Sequence, residues 1–234
     1  MAKRESKKPK TKKGKAKSKA APKKLVVKSV QPKDSFWTNQ QLHKVLIFVL
    51  AFLLYGNTIT HDYAQDDAIV IQNNDYTKEG VSGIGKILAH DTFLGFFKQK
   101  KSLVAGGRYR PFSLVTFAVE YQFFGLNPTV SHFVNVLLYG LTGILLYIVL
   151  LQLFNPNGNP MNQKGIFIAL AATVLFVTHP IHTEAVANIK GRDEILCLLG
   201  SLGALYYVLK HYLEGGKLNL VWASLAYFVA LLSK

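Results

Sequence analysis

The sequence predicts an all-α integral membrane fold: about five membrane-crossing helices, with a long loop after the first that carries helices lying at the membrane surface. Two observations predict it. Half of the 234 residues are hydrophobic, and they gather in five apolar runs. The charge is uneven: of 28 basic residues, 14 precede Ser35, leaving the rest of the chain nearly balanced, with 14 basic and 11 acidic residues. Such a composition belongs to a membrane protein with a basic tail.

Residues 1–38 read as a disordered, basic, cytoplasmic tail. The arm is built of Lys, Ala, Ser, Pro and Gly, with little aliphatic content beyond Leu25–Val27. It cannot bury enough apolar area to offset the entropy of ordering it. Its partners are expected to be anionic lipid headgroups. It lacks the interleaved aromatics that stack on bases, so nucleic acid is not expected as a partner.

The first span covers about residues 39–60, centred on Val45–Gly56. Roughly 20 residues make about 30 Å of helix, enough to cross a hydrocarbon core. Lys44 lies where its amine can snorkel to the headgroups. A cleaved signal peptide is excluded by the long polar region before it and the lack of a small-residue cleavage site after it. The basic arm places the N-terminus in the cytoplasm and residues 61–130 outside.

That loop opens on His61–Asp67. Apolar residues at 81, 84, 87 and 88 recur with a helical period. The aromatic run Arg110–Phe124, interrupted by Glu120 and Gln122, suits a helix lying in the interface, with Pro111 in its first turn. Further spans are expected at about 131–153, 165–179, 195–213 and 218–233, with Asn155–Pro160 as a turn cluster. Alternation puts Lys164, Lys210 and Lys217 inside, and the loop 180–194 outside with the first loop. The single cysteine, Cys197, excludes an internal disulfide. The apolar run ending at Ser233-Lys234 carries the expectation that a further C-terminal part follows.

Thr178–Glu194 sets two histidines, two glutamates, an aspartate, a lysine and an arginine between two apolar runs. Ionisable groups at the mouth of such segments are costly to place, so a functional role is expected.

Several strips together resemble the transmembrane and tetratricopeptide-repeat containing family of protein O-mannosyltransferases, membrane glycosyltransferases of the GT-C type. They are Asp66-Asp67 with Ile71 and Asn73-Asn74, Arg108–Ser113, Gly125–Pro128 leading into His132–Val136, and Phe176–Val186 continued by Gly191–Glu194. The resemblance covers about 45–234, and the His-Pro-Ile-His-Thr-Glu strip followed by Gly-Arg is its most specific part. It implies a GT-C-like fold, tetratricopeptide repeats further on, a polyprenyl or dolichyl phosphate sugar as donor, and an acidic catalytic residue in the first outer loop.

The chemistry of the residues agrees. Transfer to a Ser or Thr hydroxyl needs a carboxylate to take its proton, and Asp66 or Asp67 can supply one. Two adjacent carboxylates, partly desolvated, can raise the proton affinity of one of them. The alternative is a helix-capping pair. A departing phosphate needs fixed donors; Arg192, His179, His182 and Lys190 share a face, and Arg108 and Arg110 can join them. The alternative for the last two is interfacial anchoring. Glu184 and Asp193 would orient these groups.

His179, His182 and Glu184 also allow a divalent metal, against hydrogen bonding to substrate or within the fold, and no other cofactor is indicated. His132, Asn135 and Tyr139 are read as joining helices by hydrogen bonds. No Ser-His-Asp arrangement and no dinucleotide fingerprint is visible.

The function expected is therefore inverting transfer of a mannose-like sugar from a lipid phosphate to a protein hydroxyl. The partners are membrane lipid, the lipid-linked donor and the acceptor protein. The rival is a non-enzymatic polytopic scaffold that binds a partner through its outer loops. The rarity of cysteine and the short arm lean toward a bacterial inner membrane over the endoplasmic reticulum.

Overall fold

Asparagine starts three of the long helices. Asn39 Oδ1 accepts the Leu42 N–H at 3.0 Å to open α1 (Gln40–Tyr55). Asn127 does the same for Val130 at 3.4 Å to open α6 (Pro128–Phe154), and Asn162 for Gly165 at 3.1 Å to open α7 (Gln163–Thr178). Each satisfies an N–H that the helix leaves unpaired. Pro111 and Pro128 sit in the first turns of their helices, where a missing N–H costs nothing.

The computed structural model describes residues 36–64, 66–99, 108–159 and 162–234. Of the expected basic tail, only the short turn Phe36–Thr38 is among them; the remainder of that expectation lies outside the described residues.

Between α1 and α6 run α2 (Asp75–Lys78), α3 (Ile84–Ala89), α4 (Leu94–Phe97) and α5 (Pro111–Phe124). After α7 come α8 (Thr183–Ala187), α9 (Arg192–Glu214) and α10 (Lys217–Ser233). Among the described residues there is no strand. Glu120 and Gln122 do not break α5, which is one continuous helix closed by Gly125 at φ 63°.

Gln40–Thr60, Pro128–Phe154 and Ile189–Glu214 are long and apolar enough to cross a membrane. A fourth span results if Gln163–Thr178 and Pro180–Ala187, bent by 49°, count as one. The bend has a local cause: proline pushes the residue before it into extended backbone, and His179 has φ −70° and ψ 127°. α10 is apolar and 17 residues long. The protein is thus all-α and integral to the membrane.

α6 is the central helix, packed on α1, α7 and α9, and α10 packs on α9. The core joins Ile47 and Ala51 to Val136 and Tyr147, with Ile166, Ala169 and Val177 beside them. Glycine sets the closest approach: a Cβ on Gly200 of α9 would lie 2.8 Å from the Ala226 carbonyl oxygen of α10. Two polar contacts tie helices inside the bundle: the Tyr139 hydroxyl donates to the Val177 carbonyl at 3.1 Å, and His43 Nδ1 meets the Tyr147 hydroxyl at 2.6 Å. The ring nitrogens of His132, expected to join helices, are buried without a hydrogen-bond partner among the described residues.

A second core, of Val70, Ile71, Ile87, Leu114, Phe117, Ala118 and Ile189, holds the segment between α1 and α6 together. Ile189 belongs to the strip after α8, so this core brings the two polar strips to the same end of the bundle.

Candidate active site

The turn Asn188–Gly191 is the floor of the site, and residues distant in sequence build it. Asn135 of α6 points its amide into the turn, donating to the carbonyls of Asn188 and Ile189, each at 3.2 Å. Asp67 Oδ1 accepts the Lys190 N–H at 2.9 Å, and its Oδ2 accepts the Ala64 N–H at 2.9 Å. Gly191 is required here, because a Cβ would sit 2.4 Å from the Ala185 carbonyl oxygen.

The Asp66-Asp67 pair therefore divides. Asp67 is 1% exposed, with one backbone N–H on each oxygen. Asp66 is half exposed, and its Oδ2 lies 3.6 Å from the Lys190 amine. Burial raises the proton affinity of Asp67, and the two N–H bonds only partly oppose that. The sign follows. A carboxyl whose folded value is raised contributes stability that is present below its ordinary value of 3.8 and is lost as pH rises through the folded value. Asp67→Asn removes this dependence but leaves one backbone N–H without an acceptor, at a cost of about 1–3 kcal/mol. The variant is expected to melt below wild type in detergent, with the gap narrowing as pH climbs from 3.8. A gap that widens with pH would contradict the assignment.

Arg192 turns into the helix junction, not toward either cavity as its expected role as a phosphate donor requires. It is fully buried. Its Nε donates to Asn135 Oδ1 at 2.8 Å, Nη2 to the Ser131 carbonyl at 2.9 Å and Nη1 to Thr116 Oγ1 at 3.1 Å. Nη1 also pairs closely with Glu120, and the guanidinium lies 4.2 Å from the centre of the Phe117 ring. An arginine so satisfied holds helices together. Tyr63 stands beside this cluster, and burial pushes its hydroxyl up to about 12, so it is neutral at physiological pH.

Two adjoining cavities collect the remaining candidates. The larger, about 410 Å³, is lined by His182, Glu184, Lys190, Asp193 and Glu194 on its polar side and by Tyr139, Phe176, Ile195 and Leu198 on its apolar side. The smaller has about 20 Å³, room for about one water, and is lined by Asp66, Thr92, Arg108, Arg110, Ser113, Lys190 and Asp193. Lys190 and Asp193 belong to both. Arg110 is tied to Asp193 at 2.7 Å. The Arg108 guanidinium lies over Phe93 at 5.9 Å, and its backbone N–H donates to the Asp91 carboxylate.

His179 stands apart: it is exposed, its Nδ1 accepts the Ile181 N–H at 3.2 Å, and its ring lies 6.2 Å from that of His182. No group of three His, Cys, Asp or Glu side chains among the described residues is placed to hold a metal ion, so His179, His182 and Glu184 do not fit the divalent ion they suggested.

Glu120 escaped the sequence reading, where it was taken only as an interruption of an apolar run. Its signal was that interruption itself, since a carboxylate inside an apolar helix needs a partner.

Fold and site define a polytopic α-helical membrane protein with a carboxylate and cations gathered over the mouth of its helix bundle. Comparison with known proteins makes this more specific. The chain is 33% identical over 181 residues to protein O-mannosyl-transferase TMTC4 of Mus musculus, covering 74% of this chain and 23% of that protein. It is 34% identical over 156 residues to protein O-mannosyl-transferase TMTC1 of the same species, covering 66% and 15%. Protein O-mannosyl-transferase F38B6.6 of Caenorhabditis elegans is 32% identical over 176 residues, covering 74% and 24%. Over most of its length the chain is thus homologous to the TMTC family of protein O-mannosyl-transferases, although it spans about a quarter or less of these relatives. No family model matches the chain, and no solved structure matches it.

Proposed function

We propose that this chain carries the catalytic acid–base end of a membrane glycosyltransferase, which moves a mannose-like sugar from a polyprenyl or dolichyl phosphate to a Ser or Thr hydroxyl of a protein. The observation that carries the reading is Asp66, the half-exposed carboxylate set 3.6 Å from Lys190, on a cavity that Arg108 also lines. Asp66 takes the proton of the acceptor hydroxyl as its oxygen bonds to the anomeric carbon. The bond from that carbon to the phosphate oxygen breaks with its electron pair on the phosphate. Attack and departure on opposite faces invert the centre. Lys190 and Arg108 offset the charge that develops on the phosphate.

The larger cavity suits such a donor, with charged groups on one wall and the apolar side chains of α6, α7 and α9 on the other. The Arg110–Asp193 pair fixes the wall between the cavities. The basic arm supports a cytoplasmic N-terminus, which sets the site on the opposite face.

The test uses the complete protein in nanodiscs, with a Ser/Thr peptide and labelled mannose on either a polyprenyl phosphate or a nucleotide. Transfer is expected from the lipid donor alone, with inverted configuration in the product by NMR. Transfer from the nucleotide sugar alone, or retention of configuration, would overturn the reading.

A further inference from the structure

We infer that Glu120 is a positioning residue for this reaction, acting through Arg192 on the turn that presents Lys190 and Asp193. The activity part of the inference rests on the function proposed above; the structural part does not.

The two oxygens of Glu120 are used separately. Oε1 pairs with Nη1 of Arg192, and Oε2 accepts the Ser131 hydroxyl at 2.7 Å. The Ser131 carbonyl in turn accepts from Arg192 Nη2 at 2.9 Å. One carboxylate and one guanidinium therefore lock α5, α6 and α9 at a single point, with the arginine fully buried and the glutamate side chain 14% exposed.

The lock reaches the site because of where Arg192 stands. It is the first residue of α9, and the neighbours that follow from its orientation face the cavities: Lys190 two residues before and Asp193 one residue after. Successive side chains on a helix are turned by a fixed angle, so holding Arg192 toward α5 holds Asp193 toward Arg110. If the charge on Glu120 is removed, the buried guanidinium loses its counter-charge and pulls the turn toward other acceptors. A displacement of about 1 Å at a reacting centre can cost about a hundredfold in rate.

The experiment compares wild type with Glu120→Gln and Ser131→Ala in the complete protein, below the melting temperature of every variant. Amide exchange of residues 188–193 is expected to speed by about tenfold in Glu120→Gln, well beyond any change in α1 and α7. kcat is expected to fall by about ten- to a hundredfold, with the acceptor KM within about twofold. Ser131→Ala frees Oε2 alone and should move both readouts the same way by less, which keeps the test usable should Glu120→Gln fold poorly.

Exchange that rises uniformly with the fall in melting temperature would reduce Glu120 to ordinary packing. Wild-type exchange and kinetics in both variants would remove the inference. If wild type transfers nothing from any lipid phosphate sugar, the proposed function fails, while the exchange comparison still decides whether Glu120 positions the turn.

Discussion

Asparagine in place of Asp66 is expected to lower transfer by the complete protein by about 10²–10⁴-fold, the contribution of a positioned general base. The substitution keeps shape and hydrogen bonding and removes only the ability to take a proton. It should leave the fold nearly intact, because among the described residues the half-exposed carboxylate makes only the 3.6 Å contact to Lys190. A solvent-exposed ion pair is worth about 0–1 kcal/mol. Asp67→Asn is its control, since the same chemical change at the next residue acts on stability through two backbone N–H groups. Rates in excess acceptor, normalised to folded protein, separate the two. Undiminished transfer by a folded Asp66→Asn variant would move the base to another carboxylate on the cavities, with Glu184, Asp193 and Glu194 next in line.

The contrast between these neighbours shows how far the sequence could be read. It brought the pair to one end of the bundle, because a basic arm and a span precede it and a polar strip with the same alternation lies far downstream. It could not tell Asp66 from Asp67. What divides them is a bond from Lys190, 123 residues away, and the burial this contact imposes.

Arg192 marks the same boundary. A polar strip between apolar runs can turn its side chains into a cavity or into the helix junction, and spacing alone does not say which. Here Lys190 and Asp193 turn outward to the cavities, and Arg192 between them turns inward. By contrast, features whose cause is local were legible. Pro111 fits the first turn of its helix, and Asn155–Asn159 turns between α6 and α7 as Asn, Pro and Gly dictate.

The buried pair itself supports the second large effect. Leucine at Arg192 or at Glu120 leaves the other charge without its partner, a change that costs about 3–5 kcal/mol when the pair is buried. The two losses are not expected to be equal. The Arg192 side chain has no exposure, whereas Glu120 keeps 14%, so an orphaned guanidinium cannot reach water without moving α5, but an orphaned carboxylate can. Glu120→Leu should therefore be the more damaging single change in thermal unfolding. The double variant should lose less than the two singles added together, because it leaves no unpaired charge at the junction. Additive losses would mean that each residue is held by its other neighbours, Asn135 and Thr116 for the arginine and Ser131 for the glutamate, and that the contact between them contributes little. The size of the coupling thus measures directly how firmly α5 is fastened to the start of α9, and with it how rigidly Lys190 and Asp193 are held above the bundle.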